Sequence, residues 1–484
     1  VSPSAPTVPL PRVRPDLVFD GDTVTDARFG RTLRPRPALR RVLDLLCAGV
    51  PSLSELGRRA DREQRRLGEP PLTPDDLYRR LWSLARDLWF ELEILPEYDR
   101  LYAWEPDFAK ASDSAKATSD KPSGKPAPLE PAAPLDTSRA VFLCTGCGRC
   151  CDHTDIGPVG RAEVARIEGT VPGFGAHLTW VTDQVAVLGA GCERCPYRRD
   201  DGLCAIHADH GPAAKPLVCR QFPYRFTRVD GRVEASLDAE CWQLAEALAA
   251  GRADPAAALA DVRAVWAQGP VVDELPPVRF ADPFTLLTDD DWDRVVAAFD
   301  GAVQAGGSAP EALVAALRAA PRHVPPFLDE AAWSRELGPP FQPDARRQRA
   351  WALGQLERLL AAWTDGAPWR GPLGAALQEG ARRLARGTRP APLDAAEREL
   401  FVRTVRSHLE GRNVLKKDNL ELGLVFLYWR TRLAEAARGP TSAIDTLVAS
   451  NKLPKDRRLG EYFRQNQVLF RRLTVSPGPM EVRS

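Results

Sequence analysis

The sequence predicts an α+β chain that is mostly helical, with small strands confined to its first and second domains and a cysteine-rich unit between a winged-helix-like module and a helical domain. Three observations predict this. The chain has 484 residues, more than one hydrophobic core usually serves. Nine of its ten cysteines fall between Cys144 and Cys241. Beyond Cys241, apolar residues recur every three or four positions in Ala, Leu and Arg-rich segments that Gly and Pro interrupt.

Residues 17–104 read as a strands-then-helices unit. Short strand-like pieces surround Gly21 and Gly30, and helical periodicity runs from Pro37 to Cys47. Ser52 and Glu55 form a capping-box pattern before Leu53, Leu56 and Ala60. Thr73 and Pro74 open a longer helix carrying Leu77, Leu81, Leu84 and Leu88. Cys47 follows Leu43 and Leu46 on an apolar face and is expected to be a buried core thiol. Residues 106–138 are Ala, Ser, Lys, Pro and Asp with almost no large apolar side chain, so burial cannot offset their ordering entropy; a disordered linker is expected.

Residues 139–245 form the cysteine-rich unit. A helix is expected over Arg161–Ile167, a strand over Gln184–Leu188 and a hairpin turning at Asp230-Gly231. Residues 246–484 form the helical domain, with helices expected at Gln243–Ala250, Pro255–Gln268, Asp289–Gln304, Pro310–Ala319, Asp344–Thr364, Leu393–Leu409 and Leu420–Ala437. The last is the most apolar and is expected at the centre of its domain.

The formal charge is +1, from 66 basic and 65 acidic residues, which gives no overall field toward nucleic acid or an anionic membrane. Val1–Pro15 contains five prolines and no signal-like apolar core, and no stretch approaches the ~20 apolar residues of a membrane span. A cytoplasmic, reduced setting is therefore expected, in which clustered cysteines bind metal rather than form disulfides.

The first cluster is Phe142-x-Cys144-x-x-Cys147-Gly148-x-Cys150-Cys151. Two residues between thiolates let a tight turn aim both sulfurs at one ion, and Gly146 and Gly148 permit such turns. The second comprises Cys192-x-x-Cys195-Pro196-Tyr197, Gly202-x-Cys204-x-Ile206-His207 and Pro216-x-x-Cys219-Arg220-x-Phe222-Pro223, with Cys241 after the hairpin. So many sulfurs suit zinc or a [4Fe–4S] cluster, and few well-placed histidines favour the cluster; sequence leaves both open. His153, His207 and His210 are read as loop histidines or hydrogen-bond donors to thiolates, with His207 the best placed of the three to complete a site; Arg220 is read as a neutraliser of cluster charge, and Tyr197 and Phe222 as packing that shields the sulfurs. His177, His323 and His408 stand apart from other candidate ligands. No phosphate-binding glycine loop, nucleophile elbow or dinucleotide fingerprint is present.

These ordered motifs resemble the YkgJ-type cysteine-cluster family of zinc- or iron-chelating proteins. The resemblance implies metal ligation by Cys144, Cys147, Cys150, Cys151, Cys192, Cys195, Cys204 and Cys219, to which the spacing adds Cys241. More distantly the segment is similar to the flagellin lysine-N-methylases, which implies S-adenosylmethionine and a protein substrate. Asp152-His153-Thr154-Asp155 departs from that branch, which carries a tryptophan-containing run there. In the first unit, Val42-Leu43-Asp44-Leu45-Leu46 followed by Ser52-Leu53-Ser54-Glu55-Leu56 resembles the PqqD-like winged-helix module, which implies a peptide-binding strand edge. The expected function is that of a metal-binding protein taking part in modification of a protein or peptide, with a methyltransferase or a zinc-stapled binding scaffold as alternatives.

Overall fold

A computed structural model describes residues 8–28, 31–87, 89–92, 135–137, 142, 148, 151, 156–189, 192, 194–229, 231–238, 241, 255–267, 269–270, 272–275, 279–337, 345–365, 371–388, 390–416, 419–437, 446–447, 450, 453 and 457–475. The fold is mixed α+β and predominantly helical, with small sheets.

The first part pairs β1 (Leu17–Asp20), β2 (Thr23–Asp26) and β3 (Arg31–Leu33) in an antiparallel sheet of that order. Arg14, itself buried, pairs with Asp16 and lies 2.9 Å from Asp26 Oδ1, so the sheet closes over a neutralised charge. Three helices follow: α1 (Pro37–Cys47), α2 (Leu53–Arg66) and α3 (Pro74–Arg86). Ser52 caps α2 by accepting from the Glu55 N–H, while the Glu55 carboxylate turns to Arg58 and Arg59 instead of closing the box. Thr73 and Asp76 form a complete box at α3. Cys47 corrects the sequence reading: it is exposed. It lies four residues beyond buried Leu43, but α1 ends there and the chain re-enters the core only at Val50.

The core of this part is not closed on itself. Tyr78, Trp82 and Phe90 share one apolar cluster with Phe327, Leu328, Trp333 and Val468. The Tyr78 hydroxyl donates to the Leu328 carbonyl at 2.8 Å, and its ring meets Trp333 edge-on at 5.0 Å. Arg472 completes the seam, 2.5 Å from Asp75 and 3.0 Å from Glu330.

Residues 106–138 lie mostly outside the described residues, but at their end β4 (Leu135–Asp136) is a strand of a sheet rather than linker. The middle part contains β5 (Ile156–Gly160), α4 (Arg161–Glu168), β6 (Leu178–Trp180) and β7 (Val185–Leu188), with sheet order β5-β7-β6. Two short helices, α5 (Ala205–His210) and α6 (Leu217–Gln221), precede the hairpin of β8 (Tyr224–Val229) and β9 (Arg232–Leu237). β4 adds parallel to β9, and β10 (Val272–Glu274) adds parallel to β8 after α7 (Pro255–Trp266). The expected helix Gln243–Ala250 lies outside the described residues.

The last part opens with the small hairpin β11 (Phe280–Asp282) and β12 (Thr285–Leu286), which with β10 corrects the expectation of strands in the first two domains alone. Its helices are α8 (Asp289–Gln304), α9 (Ala309–Ala319), α10 (Glu330–Leu337), α11 (Ala345–Thr364), α12 (Gly371–Ala385), α13 (Ala395–Glu410), α14 (Leu420–Ala436), α15 (Arg457–Gln465) and α16 (Gln467–Val475). α14 is central, as its composition predicts, and is buried on every face. α12 approaches it so closely that a Cβ on Gly380 would lie 2.5 Å from the Leu433 carbonyl oxygen.

Because Trp333 is fully buried between the first and last parts, Trp333→Ala should cost ~3–5 kcal/mol of unfolding free energy in denaturant titration. Trp351→Ala, at an exposed site, should change it by no more than about 0.5 kcal/mol.

Candidate metal centre

The described part of the first cysteine cluster is held by its backbone. Gly148 adopts φ +69°, and its carbonyl accepts the Cys151 N–H at 2.8 Å, closing a turn. A Cβ at Gly148 would fall 2.0 Å from the Gly202 carbonyl oxygen and 3.1 Å from Arg198 Nε. The two cysteine-bearing segments therefore touch through a glycine that nothing larger can replace without movement.

Hydrogen bonds extend this junction. The Cys195 N–H donates to the Cys151 carbonyl at 2.8 Å, and the Arg198 N–H donates to the Cys195 carbonyl at 3.0 Å. Arg198 in turn bridges Cys204 as an antiparallel pair, and the Ala205 N–H donates to the Tyr197 carbonyl at 2.8 Å. Cys151, Cys195 and Cys204 consequently share one small apolar cluster with Val159, Ile167, Phe174 and Ile206. Cys195 is 5% exposed, and Cys151 and Cys204 are half-buried.

The other cysteines surround this cluster differently. Cys192 is exposed, its N–H bonded to the Gly189 carbonyl at 3.0 Å. Cys219 is half-buried on α6, whose first N–H donates to Glu163 of α4. Cys241 is buried in a second cluster with Phe142, Tyr224 and Phe226. There the Tyr224 hydroxyl lies 2.6 Å from the Phe142 carbonyl and 2.7 Å from Asp261. Cys144, Cys147, Cys150 and His153 lie outside the described residues; Phe142 and Gly148 anchor the chain on either side of Cys144 and Cys147.

Among the described residues of the first cluster the ligating atoms are sulfurs. Two nearby carboxylates are already engaged: Glu163 accepts from Leu217, and Glu168 accepts the Gly173 and Gly175 N–H groups at 2.7 and 2.6 Å. Thiolates in apolar surroundings fit zinc or iron–sulfur better than hard cations. Among the described residues, no three histidine, cysteine or acidic side chains form a metal-holding group, and no disulfide joins two described cysteines.

Electrostatics follow from burial. The Tyr197 phenol is pushed up by burial, then by Glu168 and Cys195. The Arg220 guanidinium is pushed down, first by burial and then by Arg166, while Glu163 and Cys219 oppose the shift. Tyr197 stacks on Phe174 at 5.7 Å and meets His177 edge-on at 5.3 Å. His177 is thus drawn to the residue two places after Cys195, an approach the spacing in sequence does not reveal. His207 and His210 are exposed on α5. Phe222 packs with the Cys241 cluster.

Gly148→Ala should loosen this junction. With ~1–3 kcal/mol of strain added, alkylation of buried Cys195 should accelerate roughly tenfold, read by mass spectrometry of the labelled peptide. No protein-family model, curated protein or solved structure matches this chain, so the reading of the site rests on its residues.

Proposed function

We propose that residues 139–245 form a cysteine-liganded metal centre holding zinc or an iron–sulfur cluster. The observation that supports this best is that Cys151, Cys195 and Cys204 lie in or against one small apolar cluster, with Cys195 bonded to Cys151 through the main chain. These three thiols come from two segments about forty residues apart in sequence and lie in or against the same apolar cluster. A bound metal would hold them as thiolates and add folding free energy to a small unit. Cys144, Cys147, Cys150, Cys192 and Cys219 are the further ligands this reading supplies, and Cys241, in the neighbouring cluster, is the outermost candidate.

In the same reading the centre serves modification of a protein or peptide. The chain's own residues would contribute enclosure: Tyr197 and Phe174 exclude water on one side, and Arg220 supplies positive charge beside Cys219. When bound, an iron–sulfur cluster would supply redox or substrate-anchoring chemistry, whereas zinc would supply structure.

Anaerobic purification followed by metal and acid-labile sulfide analysis tests the proposal. Iron with sulfide and visible absorption identifies a cluster, stoichiometric colourless zinc identifies a structural site, and protein free of both after reconstitution refutes the reading. Cys195→Ser and Cys204→Ser should each lose most of the metal, while Cys47→Ser should retain it. Binding of S-adenosylmethionine to the loaded protein, followed by calorimetry, tests the methyltransferase form; absence of heat removes it.

A further inference from the structure

Away from the cysteines, two buried carboxylates lie on contacting elements near the place where the first and last parts of the chain meet. Asp282 ends β11 and is 3% exposed; Glu421 lies in the first turn of α14 and is 4% exposed. Asp282 holds two stretches of main chain. Its Oδ1 accepts the Phe284 N–H at 2.7 Å, and its Oδ2 shares the His323 N–H, at 3.2 Å, with the Thr285 hydroxyl, which accepts it at 2.7 Å.

Both stretches lead into the first part of the chain. Phe284 packs edge-on against Trp82 of α3 at 6.2 Å. The strap beginning at His323 continues to Phe327 and Leu328, which fill the shared core and receive the Tyr78 hydroxyl bond. Asp282, together with Thr285 of the same hairpin, therefore positions both inserts that grip α3.

The groups facing it come from several elements. Glu421 accepts from Gln467 Nε2 at 3.0 Å and pairs with Arg471 at 2.7 Å, both on α16. Arg322 reaches Glu421 at 3.6 Å from the strap, and Thr285 bonds Asp282 from its own hairpin. His323 contributes its main chain, with an exposed side chain. Gln467 donates also to Asn419, the cap of α14, at 3.1 Å, and its buried Oε1 accepts from nothing among the described residues. The other carboxylates of the seam, Asp75 and Glu330, are each matched by Arg472. Asp282 instead lies near a like charge, Glu421, in a buried setting.

We infer that Asp282 and Glu421, with Arg322 and Arg471, form a proton-sensitive latch that holds the 8–92 part of the chain on the helical body. This inference stands apart from the metal reading and uses none of its residues. Burial, then Glu421, pushes the Asp282 carboxyl up to about 6. An acid whose value is raised in the closed form binds its proton more tightly there than when open. Closure is therefore favoured at acid pH and weakens as pH rises from the ordinary aspartate range through about 6. A shift of about two units corresponds to roughly a hundredfold change in the closing equilibrium.

Hydrogen exchange of the full chain at pH 5 and pH 7.5, corrected for the intrinsic rate, reads this out. Protection of 74–87 and 323–333, relative to 420–436, should fall at the higher pH by about tenfold, the share of the full change that lies above pH 5, and the difference should vanish in Asp282→Asn. Equal protection at both pH values, or a difference that survives in Asp282→Asn, overturns the latch. If that variant does not fold, Glu421→Gln should shrink the pH difference by removing the opposing charge; an undiminished difference in that variant overturns the proposal equally.

Discussion

The constraint on which the rest depends is that α14 has no solvent face. A helix buried all round must be enclosed by other elements and must satisfy every polar side chain it carries. Thr431 returns its hydroxyl to the Leu427 carbonyl, Arg430 reaches His408 and Ser450, and Glu435 meets Arg432. Glu421 is met by α16, which closes the chain around α14. Glycine at 380 then lets α12 come to backbone contact, a spacing no side chain would permit.

From that centre, stability passes outward through arginines. Arg412 pairs in a buried setting with Glu234 of β9 at 3.2 Å and lies over Trp292 of α8 at 5.4 Å. Arg225 of β8 reaches both Asp238 and Asn413. The cysteine-bearing part is thus tied to the helical body on the side of its hairpin. Arg472 does the same for the first part. A planar guanidinium with several donors can join two carboxylates from different elements, which a lysine cannot do with equal geometry.

The cysteine-bearing part itself is thin. Its two apolar clusters are small, and one contains three thiols among its members. Such a unit gains from its anchors on the helical body and would gain further from metal, since small cores supply little stabilisation alone. Phe142 packs in the Cys241 cluster and Gly148 against Gly202, one on either side of Cys144 and Cys147 in sequence.

Local rules determined much from sequence. Capping residues and Pro set the start of α3 at Pro74 and of α8 at Asp289, and periodicity located α1, α4, α9, α13 and α14 to within a residue or two. Gly231 fixed the hairpin turn. The thiol spacing marked Cys151, Cys195 and Cys204 as candidates to converge. Tertiary structure alone decided the rest. Short α5 and α6 have too few residues for a periodic signal, and α10, α12, α15 and α16 carry apolar patterns that long-range packing resolves. Exposure of Cys47, the placing of His177 on Tyr197, the core shared by Tyr78 with Trp333, and the nearness of Asp282 and Glu421 all join residues distant in sequence or depend on where an element ends. Spacing encodes neighbours along a helix or turn; it carries no record of which remote surface will cover them.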